Sequence, residues 1–153
     1  MWIPLDVKDP IVLQEPTRFH ISVFGAVNVG TGQFAYRMNE IFNAVTFLEF
    51  LEYLLSLRKD SKIIYVILDN SKYHHAKLLE PWLMEHKEEI ILDFLPPYSP
   101  QLNPIERVWK LTRIRATHNR YFPEISDLNN AVQMQFACWS QPNVTLATLC
   151  SII

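Results

Sequence analysis

Lys62-Ile63-Ile64-Tyr65-Val66-Ile67-Leu68-Asp69-Asn70 is the stretch that decides the fold. Its apolar run, Ile63 to Leu68, is far shorter than the roughly 20 residues that span a bilayer. It is also too continuous for a strand with one wet face, so it predicts a strand buried on both faces, ending in Asp69-Asn70. Downstream, a helix is predicted from about Tyr73 to Lys87, followed by a second apolar strand, Ile90 to Leu95. Strand, helix, strand in that order reads as a parallel βαβ unit and places the chain in the α/β class.

Working outward, Phe19 to Asn28 is rich in β-branched and aromatic residues and predicts a strand. Asn28-Val29-Gly30-Thr31-Gly32 then separates it from a returning strand over Gln33 to Met38, so a hairpin is expected. A phosphate-cradling loop is excluded, because no Lys-Ser/Thr follows the last glycine and no GxGxxG occurs. Asn43 can cap a helix over Ala44 to Arg58, with Val45, Phe47, Leu48, Leu51, Leu54 and Leu55 at helical spacing. The first eighteen residues, with Pro4, Pro10 and Pro16, read as extended and irregular. Leu95 to Pro104 holds four of the ten prolines and predicts a stiff, extended loop. Asn103-Pro104 then opens a helix to about Asn119, and a further helix is expected from Ser126 to about Trp139.

A length of 153 residues suits one domain, and a hydrophobic fraction of 49% is too high for a disordered chain. Cys138 and Cys150 cannot build a disulfide scaffold; their apolar neighbours suggest buried thiols in a reducing compartment. The start lacks the features of a signal peptide. A soluble, cytoplasmic protein with no membrane partner is the expectation. The formal charge of -2 excludes a whole-chain basic footprint for nucleic acid. His74, His75 and His86 lack zinc-ligand spacing, and no GxSxG elbow is present.

Two carboxylates stand out by placement. Asp69 follows a buried strand, where open α/β sheets bind ligands, and Glu106 lies in the first turn of the helix after the proline loop, 37 positions on. If the loop folds back beside the strand, the two converge as an oxygen-donor pair suited to Mg²⁺ or Mn²⁺. Each also has a plain structural reading, Asp69 as a helix cap and Glu106 as part of a capping arrangement with Asn103. Arg107, Lys110, Arg113, Arg115 and Arg120 lie within fourteen positions that hold no acid. Lys110 and Arg113 share a helical face with Glu106, which suits phosphate contact or a solvated helix face.

Leu68-Asp69-Asn70-Ser71-Lys72-Tyr73-His74 resembles the strand around the second aspartate of DDE-type transposases of the mariner-like and insertion-sequence superfamily. Leu95-Pro96-Pro97-Tyr98-Ser99-Pro100-Gln101-Leu102-Asn103-Pro104-Ile105-Glu106-Arg107-Val108-Trp109 resembles the segment carrying their third acid, and Phe24 to Gly32 their second-strand hairpin. The likeness runs from about Trp2 to Leu149. It implies a ribonuclease-H-like mixed sheet of five strands, the first three antiparallel, with helices on both faces. It further implies Mg²⁺-dependent strand cleavage and transfer at transposon ends, with Asp69 and Glu106 as metal ligands. The implied partners are DNA and a second copy or an intact transposase. Lys110 and Arg113, as DNA contacts, extend the resemblance from the charge pattern.

The chain departs from that pattern at its start. The family's first aspartate lies on a central strand upstream of the position matched by Trp2, and its loss exposes two strand edges. Asp6 and Asp9 are poor replacements among their prolines. The helix-turn-helix DNA-recognition region usual in these transposases is not expected within residues 1–153. The expectation is residues 1–153 as a partial catalytic domain, N-terminally truncated and inactive alone; the alternative readings are a non-catalytic DNA- or transposase-binding remnant and a ribonuclease-H-like nuclease.

Overall fold

The computed structural model describes residues 20–59 and 62–151. The irregular lead-in with Asp6 and Asp9 lies outside the described residues. The predicted hairpin forms from β1 (Ser22–Val27) and β2 (Phe34–Asn39), antiparallel with Val27 opposite Phe34. Asn28 organises its turn, its side-chain oxygen accepting from the backbone N–H of Gly30 and Thr31, both at 3.0 Å. Helix α1 (Ala44–Ser56) starts at the expected cap. There the Asn43 oxygen accepts from Val45 and Thr46 N–H, while the Thr46 hydroxyl accepts from Asn43 N–H.

Strand β3 (Ile64–Leu68) pairs in parallel with β4 (Ile90–Phe94), in register Ile64 to Ile90 and Leu68 to Phe94. The connection differs from the continuous helix expected over 73–87. Two single 3-10 turns, Lys72–His75 and Lys77–Leu79, lead into a short α2 (Glu80–Glu85), with Ala76 extended between the turns. Pro81 explains the break. It lacks an N–H and its ring would meet the carbonyl four residues back, so it fits only the first turn of a helix.

Helix α3 (Ile105–Thr112) runs on into a wider π-type turn over Arg113–Thr117. Helix α4 (Ile125–Ala137) matches expectation within two residues. A fifth helix, α5 (Val144–Cys150), was not foreseen: it is short, and its start is signalled only by Asn143, whose side chain accepts from Leu146 N–H. It closes onto the hairpin, where Asn143 N–H donates to the Thr31 carbonyl at 2.8 Å and Gly32 packs against α5 backbone. Cys150 is buried there, whereas Cys138 is exposed, correcting the expectation of two buried thiols.

The hairpin is packed on both sides. Phe24 and Ala35 join α1 residues Phe47, Phe50 and Leu51 in one core. Phe34, Val23 and Val27 on the opposite face join Val108, Phe136, Trp139 and Leu146 in a second core from α3, α4 and α5. Gly25 sets the approach of α3, since a Cβ there would lie 2.5 Å from the Trp109 indole.

The β3–β4 ladder is covered on one face only. Ile64, Val66, Leu68 and Leu92 face the first core, but Tyr65 and Ile67 are 65% and 43% exposed. The strand expected to be buried on both faces thus has one open face, because no described helix lies against it. The implied mixed sheet is likewise incomplete. Among the described residues the strands form two separate two-stranded ladders, and the break between β1 and β3 falls where the resemblance puts its central first strand.

Candidate active site

Asp69 directly follows β3, and its backbone and side chain are both tied locally. Its Oδ1 accepts from Ser71 N–H at 3.0 Å, an Asx-type turn that ends the strand. The buried His74 ring donates from Nδ1 to the Asp69 carbonyl at 3.0 Å and stands 3.3 Å from Oδ1. A carbonyl can only accept, so the Nδ1–H form is fixed. Burial is the largest influence on His74 and pushes its pKa below the ordinary histidine value, outweighing the opposing bond to Asp69, so the ring is neutral at neutral pH. The carboxylate itself is 64% exposed.

Asn70 couples the two strand ends. Its amide Nδ2 donates to the Leu95 carbonyl at 2.5 Å, where the proline loop begins, and its Oδ1 accepts from His75 Nε2 at 3.2 Å. His75 in turn stacks on Phe94 with ring centroids 4.3 Å apart. The loop that leaves Leu95 is compact rather than extended throughout. Tyr98 adopts a left-handed φ of 58°, and a 3-10 turn over Pro100–Leu102 folds the chain back. The reason is local: Leu102 N–H bonds the Ser99 carbonyl, and Asn103 N–H bonds that of Pro100. Helix α3 begins one residue later than expected, with Pro104 at the cap position, and Asn103 Oδ1 accepts from Ile105 N–H at 3.3 Å.

This fold-back brings Asp69 and Glu106 to the wall of one cavity of about 200 Å³, with Asn70 beside the aspartate and Pro97, Tyr98 and Asn103 from the loop. Convergence was the expectation that depended most on tertiary structure. The capping box considered for Glu106 does not form, because the Asn103 N–H it would need donates to the Pro100 carbonyl, although Asn103 Oδ1 accepts from Ile105 N–H. Asp69 bonds the Ser71 N–H in the turn that ends β3 but caps no helix, since Ser71 stands at the cap of the 3-10 turn that follows and makes no side-chain cap bond; Asp69 also lines the cavity.

The donor set is two carboxylates. Among the described residues no group of three or more His, Cys, Asp or Glu side chains could hold a metal ion. Mg²⁺ is commonly held through one or two protein carboxylates with water and substrate phosphates supplying the rest, so two oxygen donors on one cavity are compatible with a divalent cation of that class. Lys110 on α3 and Arg113 at the start of the π-type turn that continues it are both exposed. Arg107 is differently engaged, donating to the Leu149 and Ser151 carbonyls at the end of α5. The basic cluster read from the sequence therefore divides into one cation that closes a helix end and others on the surface. Sequence reasoning passed over His74 and Asn70 as site residues; both bond to backbone carbonyls, which leave no side-chain pattern to read.

No helix among the described residues is long and apolar enough to cross a membrane. Residues 1–129 match the family described as DDE superfamily endonuclease. The chain is 28% identical over 95 residues to the "Insertion element IS630 uncharacterized 39 kDa protein" of Shigella sonnei, across 62% of this chain and 27% of that protein. It is 41% identical over 64 residues to "Uncharacterized protein y4pE/y4sA" of Sinorhizobium fredii, across 41% of this chain and 43% of that protein. The chain spans less than half the length of these curated relatives. DDE superfamily endonucleases generally use divalent metal ions, the class of cation that the oxygen-donor pair suits. The family match covers the hairpin, both strand ends and the proline loop, and so the chain belongs to the DDE superfamily endonucleases.

Proposed function

We propose that this chain is part of a transposase catalytic domain in which Asp69 and Glu106 hold Mg²⁺ or Mn²⁺ against the phosphates of DNA at insertion-sequence ends. The observation that carries this reading is the shared cavity: two acids 37 positions apart face one space because the proline loop folds back on β3. When bound, the cation supplies charge neutralisation for phosphoryl transfer. Asp69 and Glu106 act as its ligands, His74 and Asn70 hold Asp69 in place, and Lys110 and Arg113 contact backbone phosphates along α3. The likeness to an insertion-element protein of Shigella sonnei supports transposition as the setting.

The parent architecture proposed is ribonuclease-H-like, residues 1–153 forming part of one catalytic domain. The unjoined ladders support this, since a strand lying between β1 and β3 would complete a mixed sheet and bring a third acid to the cavity. Two carboxylates alone make a weak two-ion site, so the chain by itself is expected to cleave DNA poorly and to act with a second copy or an intact transposase.

Mn²⁺ binding and nicking of supercoiled plasmid test the proposal together. Mn²⁺ binding that is lost in both Asp69→Ala and Glu106→Ala, with little nicking, is the expected result. Robust nicking abolished by Asp69→Ala would show that the chain is catalytically self-sufficient. Mn²⁺ binding indifferent to both substitutions would refute the assignment of the pair.

A further inference from the structure

Tyr98 sits at the bend of the proline loop and lines the cavity that holds Asp69 and Glu106. It is 100% exposed. It also takes a left-handed backbone conformation, φ 58°, which non-glycine residues other than Asn and Asp rarely adopt. Both features work against stability, since an aromatic ring forgoes burial and the backbone carries strain. The surroundings enforce this placement. Pro96 and Pro97 stiffen the chain before it, and Pro100 opens the 3-10 turn after it. The Ser99 hydroxyl donates across it to the Pro97 carbonyl at 3.3 Å. Among the described residues the ring makes no hydrogen bond or ring contact. Strained residues over-determined by a rigid frame cluster at sites that act on ligands.

We propose that Tyr98 is a stacking platform for an unpaired nucleobase next to the phosphate held at the carboxylate pair. The inference rests on the proposed function and adds the chemistry of the substrate, a strand with at least one base out of its helix stack. An aromatic face at the mouth of an acidic cavity suits the planar, uncharged part of a nucleotide. The phosphate is left to the cation and to the basic residues of α3. Stacking of this kind is tolerant of base identity, so Tyr98 contributes affinity for frayed or single-stranded DNA rather than sequence specificity.

The test uses a DNA duplex with a short single-stranded end carrying 2-aminopurine, bound in Ca²⁺, with affinity from fluorescence anisotropy and stacking from 2-aminopurine quenching. The wild-type chain, Tyr98→Phe and Tyr98→Trp are expected to quench. Tyr98→Ala and Tyr98→Asn are expected to lose quenching and to bind about five- to a hundred-fold more weakly. The salt dependence of binding should be unchanged, because no phosphate contact is removed. Tyr98→Asn tolerates the left-handed backbone, so its melting temperature should equal or exceed that of wild type and exclude misfolding as the cause. Binding and quenching that survive in Tyr98→Ala, while Asp69→Ala or Lys110→Ala weakens binding, would overturn this inference alone. Absence of DNA binding by the wild-type chain would overturn the proposed function with it. A change in self-association in Tyr98→Ala without a change in quenching would overturn the stacking role and mark Tyr98 as a protein contact.

Discussion

Replacing His74 by phenylalanine removes one hydrogen bond and keeps most of the packing around it. The wild-type ring is 8% exposed, with centroids 4.3 Å from Phe47 and 4.4 Å from Tyr73, and a phenyl ring fills that space. What is lost is the Nδ1–H donated to the Asp69 carbonyl. Such a bond contributes about 1 kcal/mol net. The expected stability loss is therefore about 1 kcal/mol, or about 3 °C in melting temperature for a domain of this size. His74→Ala also empties the ring's place, at about 2–4 kcal/mol. His74→Asn sets an amide near the Nδ1 position and restores the donor but not the ring. Outer partners of metal ligands are typically worth 10- to 100-fold in affinity. The bond is to the Asp69 carbonyl rather than its carboxylate, so about 10-fold is expected here. The stability order should be Phe above Asn and Ala, and the Mn²⁺-affinity order Asn above Phe and Ala. Differential scanning fluorimetry gives the first order and Mn²⁺ titration followed by electron paramagnetic resonance the second. His74→Phe binding Mn²⁺ as wild type does would refute the positioning role.

Three further outcomes follow from the packing and the ionisable groups. Gly32 has a φ of 69°, and a Cβ there would collide with the Asn143 carbonyl, so Gly32→Ala should cost at least about 2 kcal/mol from strain and overpacking; a melting temperature equal to wild type would contradict the α5 docking. Alkylation by iodoacetamide at neutral pH should modify the exposed Cys138 first. Cys150, whose thiol burial pushes up, should react only on unfolding, as peptide mass spectrometry can read. Glu89 is held below the ordinary glutamate value, first by the hydrogen bond from His86 and then by the Arg58 charge. Its stabilisation is present above the ordinary value and lost as pH falls through the lowered one, so urea midpoints should decline on acidification and Glu89→Gln should flatten that decline.

What could be read from the sequence was local. Asn43 as a cap, the glycine turn after Asn28 and the apolar runs of β3 and β4 are each decided by residues a few positions apart, and all form where expected. The approach of Glu106 to Asp69 was legible because the proline loop leaves the chain few paths. The failures arise where a distant contact decides. Tyr65 and Ile67 carry the apolar pattern of a doubly covered strand, yet composition cannot report which helices lie against them. Helix α5 has a weak local signal and is held by the hairpin turn, more than a hundred positions away. His74 was set aside because it lacked metal-ligand spacing, whereas its bond is to a backbone carbonyl, which no side-chain pattern reveals.

The hairpin belongs to both cores. Asp69 follows a strand anchored in the first, while Glu106 opens a helix anchored in the second. On the proposed assignment, the gap between the two acids is therefore set by β1 and β2, which supply neither of them. Mg²⁺ demands near-ideal octahedral geometry, whereas larger cations such as Ca²⁺ accept looser arrangements. A substitution at Gly25 that pushes Trp109 outward would alter cation choice without touching a ligand. If Asp69 and Glu106 are the ligands, the thickness of a two-stranded spacer, together with the fold of the proline loop, would govern which cation the site accepts.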